Sequence, residues 1–180
     1  KGWESVGEEP HPMEAARMIW AYERAKNADL TELLRLITDY RLPREAIPTE
    51  KLAEPSVWEA LLPHMGLTAL LRNLGNLSKY EVLAVNKHEI VAFVTRSLTD
   101  PNKLRKARVH PVEVLTAMLT YQQGHGVRGK GEWTPVAKVV DALDAAFYAS
   151  FGNVQPTHKR LVLALDVSGS MAGGMIAGVP

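Results

Sequence analysis

The chain has 180 residues, of which 46% are hydrophobic and 23% are charged, so it has enough apolar surface for an ordered core and is not a disordered tail. It has no cysteine, which excludes disulfide scaffolds, thiolate zinc sites and cysteine nucleophiles. The net charge of +1 argues neither for nor against nucleic acid, and no apolar run approaches the roughly 20 residues of a membrane helix.

The first third of the chain predicts amphipathic helices separated by a proline-rich connection. Apolar residues recur at helical spacing over residues 11–27, and Asp29 is placed to cap a second helix. Three prolines mark a loop-rich connection over residues 42–55. Ser56 is predicted to cap the helix that follows, and Pro63 to interrupt it.

The helical pattern continues through most of the remaining chain. Apolar residues at spacings of three and four predict helices over residues 67–77, 87–98 and 111–123. Thr134-Pro135 is typical of an N-cap followed by proline at the first helical position, and this helix is expected to end near Phe151. Roughly seven or eight such helices predict an all-α fold, either an α-solenoid of stacked helix pairs or a compact bundle.

The pattern changes towards the end of the sequence. Residues 161–165 (LVLAL) form a continuous apolar run of strand length, as found in parallel sheets that are buried on both faces. We therefore expect a domain boundary near residues 155 and 156. Because the chain starts at Lys1 without an initiator methionine and stops soon after this run, we also expect it to be a fragment of a longer protein.

The residues that follow this run predict a metal site. Asp166, Ser168 and Ser170 offer one carboxylate and two hydroxyls at the carboxyl end of the predicted strand. Hard oxygen ligands of this kind suit Mg²⁺ or another hard divalent cation. The alternative is a tight turn in which these side chains only cap a helix. A serine nucleophile is disfavoured, because the G-x-S-x-G pattern would need glycine at positions 166 and 170.

The glycine-rich segment 124–131 (GHGVRGKG) matches G-x-G-x-x-G and partly matches a phosphate-binding loop. Both motifs require a preceding strand and a helix that begins directly after the loop. Here the segment follows a predicted helix, so we interpret it as a glycine loop that presents His125, Arg128 and Lys130 rather than as a nucleotide site. The histidines show no zinc-binding spacing.

Positive charge is concentrated in one window of the chain. Residues 103–131 carry a net charge of +5, whereas the remaining residues sum to −4. Phosphate backbones favour such clusters through counterion release, although a solvated basic helix face is an equally good explanation from charge alone. The candidate phosphate-binding residues of this window are Lys103, Arg105, Lys106, Arg108, His125, Arg128 and Lys130.

Five segments in this order resemble the Ro ribonucleoprotein family, whose helical portion is the TROVE module. They are residues 67–75 (LTALLRNLG), 106–111 (KARVHP), 124–130 (GHGVRGK), 142–148 (ALDAAFY) and 163–171 (LALDVSGSM). The resemblance is specific from about residue 66 to 171 and looser, though collinear, before that. Within the first segment, Arg72 and Asn73 are expected either to be buried hydrogen-bonding residues or to contact RNA.

The resemblance implies a fold and a domain order. Residues 1–155 would be the C-terminal part of a TROVE domain, a ring segment of HEAT-like helical repeats. Residues 156–180 would be the truncated start of an α/β von Willebrand factor A domain, beginning with its first β-strand. Asp166, Ser168 and Ser170 would then be the first three ligands of a metal-ion-dependent adhesion site, which also needs a threonine and an aspartate from later loops.

The resemblance also implies a function without catalysis. Members of the family bind small non-coding Y RNAs on the outer face of the ring and accept single-stranded ends of misfolded RNAs, for RNA quality control with exonucleases. We expect a cytoplasmic RNA-binding protein with no membrane partner and no small-molecule substrate. The competing hypothesis is a protein-interaction scaffold that uses the metal site, and an enzyme has the least support, because no acid/base pair or nucleophile is placed for catalysis.

Overall fold

The computed structural model describes residues 16–126, 131–166 and 168–170, and the chain divides into two compact units, residues 1–65 and 66–180. Within the described residues, the regular structure is helical and no strand is formed, which agrees with the predicted all-α fold. The first unit contains α1 (Arg17–Ala25), α2 (Leu30–Tyr40) and α3 (Pro55–Leu61). The second contains α4 (Leu67–Lys79), α5 (His88–Thr99), α6 (Pro101–Ala107), α7 (Pro111–Gln122) and α8 (Ala137–Ser150).

The helix boundaries of the first unit confirm one predicted cap and correct another. Asp29 caps α2, since its side chain accepts a hydrogen bond from the backbone N–H of Glu32 at 2.8 Å. The predicted cap at Ser56 is wrong, because α3 already begins at Pro55, with Glu54 as its N-cap. Proline has the φ angle of a first helical residue and needs no amide partner there, so the helix starts one position earlier. Pro63 does end the regular α-helix, as predicted.

The second unit is organised around α8. This helix packs against α5, α6 and α7, while α4 packs against α6 and α7. Leu143 and Val139 of α8 and Leu104 of α6 are buried in the resulting core. Burial of such side chains stabilises the unit by roughly 1.5–3 kcal/mol each, so the short α6 is held mainly by its tertiary contacts.

The start of α8 differs from the prediction at Thr134-Pro135. The helix begins at Ala137, and its N-cap Val136 makes no side-chain cap. Instead, the backbone N–H of Val136 donates to the Tyr121 hydroxyl at 3.1 Å, and that of Trp133 donates to the Gly124 carbonyl at 2.8 Å. These two contacts with the end of α7 hold the segment in a non-helical path, and they depend on residues too distant for a local cap signal to reveal.

Gly75 allows α4 to approach the indole of Trp133. A Cβ atom at position 75 would lie 2.8 Å from two carbons of that ring, closer than real Cβ contacts come. The indole cannot move freely, since its Nε1–H donates to the Tyr121 carbonyl at 3.0 Å and its ring stacks on Tyr121 with centroids 6.3 Å apart. Glycine at this position is therefore a packing requirement in the middle of a helix.

We expect Gly75→Ala to destabilise the protein by about 1–2 kcal/mol. Overpacking costs about 1–3 kcal/mol, and the better helix propensity of alanine returns up to about 1 kcal/mol. The measurement is the denaturant midpoint of unfolding. Gly152→Ala is the matched control, because nothing lies within 4 Å of a Cβ at that position; an equal loss in both variants would contradict the packing explanation.

The predicted strand at residues 161–165 is not formed. Leu161, Val162, Leu163 and Leu165 are 69–98% exposed, and no described residue pairs with their backbone. A strand exists only with a partner for its N–H and C=O groups, and the described parts of the chain provide none.

Across these same parts, no helix combines the length and apolar character needed to cross a membrane.

Candidate nucleic-acid interface

The short helix α6 presents four exposed cationic side chains within six residues. Asp100 begins the helix, accepting from the backbone N–H of Asn102 at 2.8 Å, and Pro101 stands at the first helical position. Leu104 is the buried anchor of α6 and Ala107 is half-buried, while the other positions of the helix are exposed. We call the exposed cations the α6 basic cluster, which comprises Lys103, Arg105, Lys106 and Arg108.

Lys103 of this cluster contacts the preceding helix. Its ammonium donates to the Ser97 hydroxyl at 2.8 Å and lies 5.5 Å from the centre of the Phe93 ring. These contacts tie α6 to α5 and fix where the charge lies. Arg105, Lys106 and Arg108 have exposed side chains that are available to an anionic ligand.

Arg108 ends α6 in the left-handed conformation, with φ of 51° and ψ of 38°. Its backbone N–H donates to the Arg105 carbonyl at 3.1 Å, and the Val109 N–H donates to the Leu104 carbonyl at 3.2 Å. Glycine is the usual residue at such a position because it has no Cβ penalty. The arginine at this position places a positive charge at the C-terminus of α6, where the helix dipole favours cations.

Asn153, which follows the C-terminal end of α8, holds the end of α6. Its Nδ2 group donates to the Leu104 carbonyl at 3.0 Å and to the Val109 carbonyl at 2.9 Å. Asn153 lies in the 3-10 turn that follows α8, 49 positions beyond Leu104. The turn that carries Arg108 is thus fixed by a side chain that the sequence pattern did not identify.

The described residues include both ends of the glycine-rich segment 124–131. His125 is exposed and pairs with Glu132 in an isolated antiparallel bridge, and its carbonyl accepts from Gln123 Nε2 at 2.7 Å. The segment follows α7, as predicted, and Gly124 has a φ of 74°. The predicted phosphate-binding residues Arg128 and Lys130 lie outside the described residues, so their prediction stands untested.

A cavity of about 710 Å³ lies between α4 and α7, a feature that the sequence reading missed. Its apolar wall includes Leu71, Val112 and Trp133, and the charged residues Arg72 and Glu113 also line it.

The prediction that Asn73 is a buried hydrogen-bonding residue is confirmed, since it is buried and donates to the Ala69 carbonyl at 2.9 Å. Of the two alternatives expected for Arg72, the structure rules out the buried one, since this residue is exposed and lines the cavity.

His110 connects the cavity with the α6 basic cluster. It caps α7 by accepting the backbone N–H of Val112 at its Nδ1 atom, at 3.2 Å. Since Nδ1 acts as the acceptor, the ring proton lies on Nε2 in this arrangement. His110 lines the cavity, which extends along α7 as far as Tyr121, and it follows Arg108 of the cluster by two residues.

The predicted metal-binding side chains lie on one exposed turn. The Ser168 N–H donates to Asp166 Oδ1 at 2.9 Å and lowers the pKa of that carboxyl, and the Ser168 and Ser170 hydroxyl oxygens are 3.0 Å apart. Three hard oxygens on one turn fit a divalent cation chemically, with a single formal charge among them. No cluster of three or more His, Cys, Asp or Glu side chains suited to a metal occurs among the described residues.

Comparison with known proteins gives concordant matches. The TROVE domain model matches residues 40–120. RNA-binding protein RO60 of Deinococcus radiodurans is 50% identical over 92% of this chain, and that of Caenorhabditis elegans is 42% identical over 87%. The crystal structure of the Deinococcus radiodurans RO (RSR) protein superposes with a TM-score of 0.86 at 47% identity, covering 99% of this chain and 35% of that one. The chain spans 31% and 24% of the length of the two relatives.

Proposed function

Because this chain belongs to the Ro family of TROVE-domain proteins, we propose that it binds RNA without catalysis and that the α6 basic cluster contacts the phosphate backbone. The observation that supports this most directly is the exposure of Lys103, Arg105 and Lys106 on the seven-residue helix α6 and of Arg108 at its C-cap. Both RO60 relatives are named as RNA-binding proteins.

The physical basis of the proposal is the release of counterions from RNA. Arg105 and Arg108 carry guanidinium groups that match two phosphate oxygens at once, and Lys106 contributes a point charge. Two contacts hold α6 in place. Lys103 donates to the Ser97 hydroxyl of α5, and Asn153, after α8, donates to the Leu104 carbonyl. Because the backbone that carries the cluster is already fixed, less of its conformational freedom is lost on binding.

The test is RNA binding by the chain as a function of salt. With a structured RNA that carries a single-stranded tail, we expect the logarithm of the association constant to fall linearly with the logarithm of salt, with a slope of about −3. This slope corresponds to about four phosphate contacts. A slope near zero, or no binding at low salt, would contradict the proposal.

The finer part of the proposal concerns the RNA and its setting. We propose that the RNAs are small Y RNAs and misfolded RNAs with single-stranded ends, that an exonuclease is a partner, and that the protein acts in the cytoplasm. HEAT-like repeats in residues 1–155 and a von Willebrand factor A domain that starts at residue 156 belong to the same proposal. Its support is the sequence resemblance described above.

We also propose that Asp166, Ser168 and Ser170 hold a divalent cation such as Mg²⁺ for contact with an acidic partner side chain. We expect Asp166→Ala to abolish Mg²⁺ binding, because it removes the only charged oxygen of the three. Isothermal titration with Mg²⁺ measures this effect, and Asp144→Ala, which removes an exposed carboxylate from α8, is the control. Equal binding by both variants would contradict the proposal.

A further inference from the structure

The cavity between α4 and α7 carries opposite charges that do not pair with each other. Arg72 of α4 and Glu113 of α7 both line it. Within the described residues, no ion pair within 4.0 Å joins them. A ligand in this cavity therefore meets a cationic donor on one helix and an anionic acceptor on the other.

Glu113 has an unmet hydrogen-bonding requirement. Its Oε1 atom is buried from solvent and has no hydrogen-bond partner among the residues that the structure describes. A buried acceptor without a partner costs about 1–3 kcal/mol or more when it is charged. Glu113 also lines the cavity, so a ligand with N–H donors beside its carboxylate would offer it hydrogen-bond partners.

The apolar part of the cavity has the chemistry of a site for a flat ring. Trp133 lines the wall and is kept in place by its stack on Tyr121 and its hydrogen bond to the Tyr121 carbonyl. Leu71, Leu74 and Val112 complete the apolar surface. Proteins that read single-stranded RNA place unstacked bases against such surfaces and bind their polar edges with side chains.

We infer that this cavity binds one unstacked guanine of the RNA, with Arg72 on its O6 and N7 acceptors and Glu113 accepting from its N1–H and N2–H₂ donors. Arginine makes this contact to guanine more often than any other specific base contact. Adenine would present its N1 acceptor to the Glu113 carboxylate, which is repulsive. The inference rests on the proposed function, since it assigns a base specificity to the RNA that the α6 basic cluster holds.

The position of the cavity supports this assignment. His110 lines the cavity, and Arg108 of the basic cluster precedes it by two residues, with only Val109 between them. The basic cluster therefore adjoins the cavity along the chain at His110, and an RNA strand with a phosphate at Arg108 would enter the cavity from this side. His110 Nε2–H is a further donor at this junction.

The experiment compares tails on one structured RNA. The reference tail contains only adenines, and the others carry a single guanine, inosine or 7-deazaguanine at the same position. We expect the guanine tail to bind about tenfold tighter than the adenine tail, and inosine, which lacks N2–H₂, and 7-deazaguanine, which lacks N7, each to lose part of this preference. The single guanine avoids association of G-rich tails with each other.

Two variants assign the effect to the cavity. Glu113→Gln and Arg72→Ala should each reduce the preference for guanine to about twofold or less. Glu89→Gln and Arg96→Ala, which change the same charges on exposed positions of α5, should leave it unchanged. The analogue series on the unaltered protein keeps the inference testable if a cavity variant fails to fold.

The outcomes separate this inference from the proposed function. Equal binding of guanine and adenine tails with a normal salt slope would overturn the guanine site and leave the RNA-binding function intact. A guanine preference that survives both cavity variants would also overturn it. If no tail bound at low salt, or if binding did not depend on salt, the proposed function itself would be contradicted.

Discussion

Replacing Arg105 and Lys106 with glutamine and Arg108 with glycine should weaken RNA binding by at least about tenfold at moderate salt and reduce the salt slope by about two to three units. Each lost phosphate contact lowers the slope by about 0.7–0.9. The effect should be similar for RNAs of different sequence, because phosphates carry no sequence information. Filter binding or fluorescence anisotropy over a range of salt concentrations measures both quantities.

The control for this prediction removes the same charge elsewhere. Lys79, Arg96 and Lys138 are exposed outside the α6 basic cluster, so their joint replacement by glutamine should leave the slope nearly unchanged. Arg108→Gly alone separates binding from folding, because glycine suits the left-handed backbone there and should not lower the denaturant midpoint. Equal effects of the cluster and control variants would assign binding to net charge alone and contradict the proposed surface.

Removing the Tyr121 side chain should destabilise the protein strongly. Tyr121 is 1% exposed, and its hydroxyl bonds with Ser78 Oγ at 2.7 Å and accepts from the Val136 N–H at 3.1 Å. We expect Tyr121→Ala to cost about 3–5 kcal/mol or more, through lost burial and a cavity. Tyr121→Phe, which keeps the ring, should cost about 1–3 kcal/mol because it leaves two buried polar groups without a partner.

The contribution of the Tyr121 hydroxyl also depends on pH. Burial raises the pKa of this phenol above its ordinary value of 10.0, so the folded protein favours the neutral form. The contribution of this hydroxyl to the free energy of unfolding is therefore constant below pH 10. It falls as the pH rises from 10 through the pKa that Tyr121 has in the folded protein. Denaturant midpoints of the unaltered chain and Tyr121→Phe should converge above pH 10, and a constant difference up to pH 11 would be inconsistent with this account.

The sequence predicted helices well where the signal was local. Asp29 caps α2 as expected because an N-cap needs only the backbone three residues ahead. The expected caps at Ser56 and Thr134 failed for different reasons: Pro55 starts α3 one residue earlier, and the Val136 N–H is held by the distant Tyr121 hydroxyl. Helix α6 was missed as a separate element, since one buried residue in seven gives no visible periodicity.

The candidate site was predictable only in part, for a similar reason. Charge along the chain located the α6 basic cluster, because its members are neighbours in sequence. The cavity needs α4 and α7 side by side, and nothing in the spacing of Arg72 and Glu113 reveals that they share it. Asn153 was invisible as an anchor, since its partners at Leu104 and Val109 lie more than 40 positions away.

The Asn153 contact has a consequence for how the binding surface opens. A seven-residue helix on the surface would normally open independently of the rest of the protein, and its amide protons would then exchange rapidly with solvent. Here the last turn of α6 is bonded to the turn after α8, so releasing one requires releasing the other. In hydrogen–deuterium exchange, the final amides of α6 should therefore exchange at the rate of the α8 terminus, as one cooperative unit.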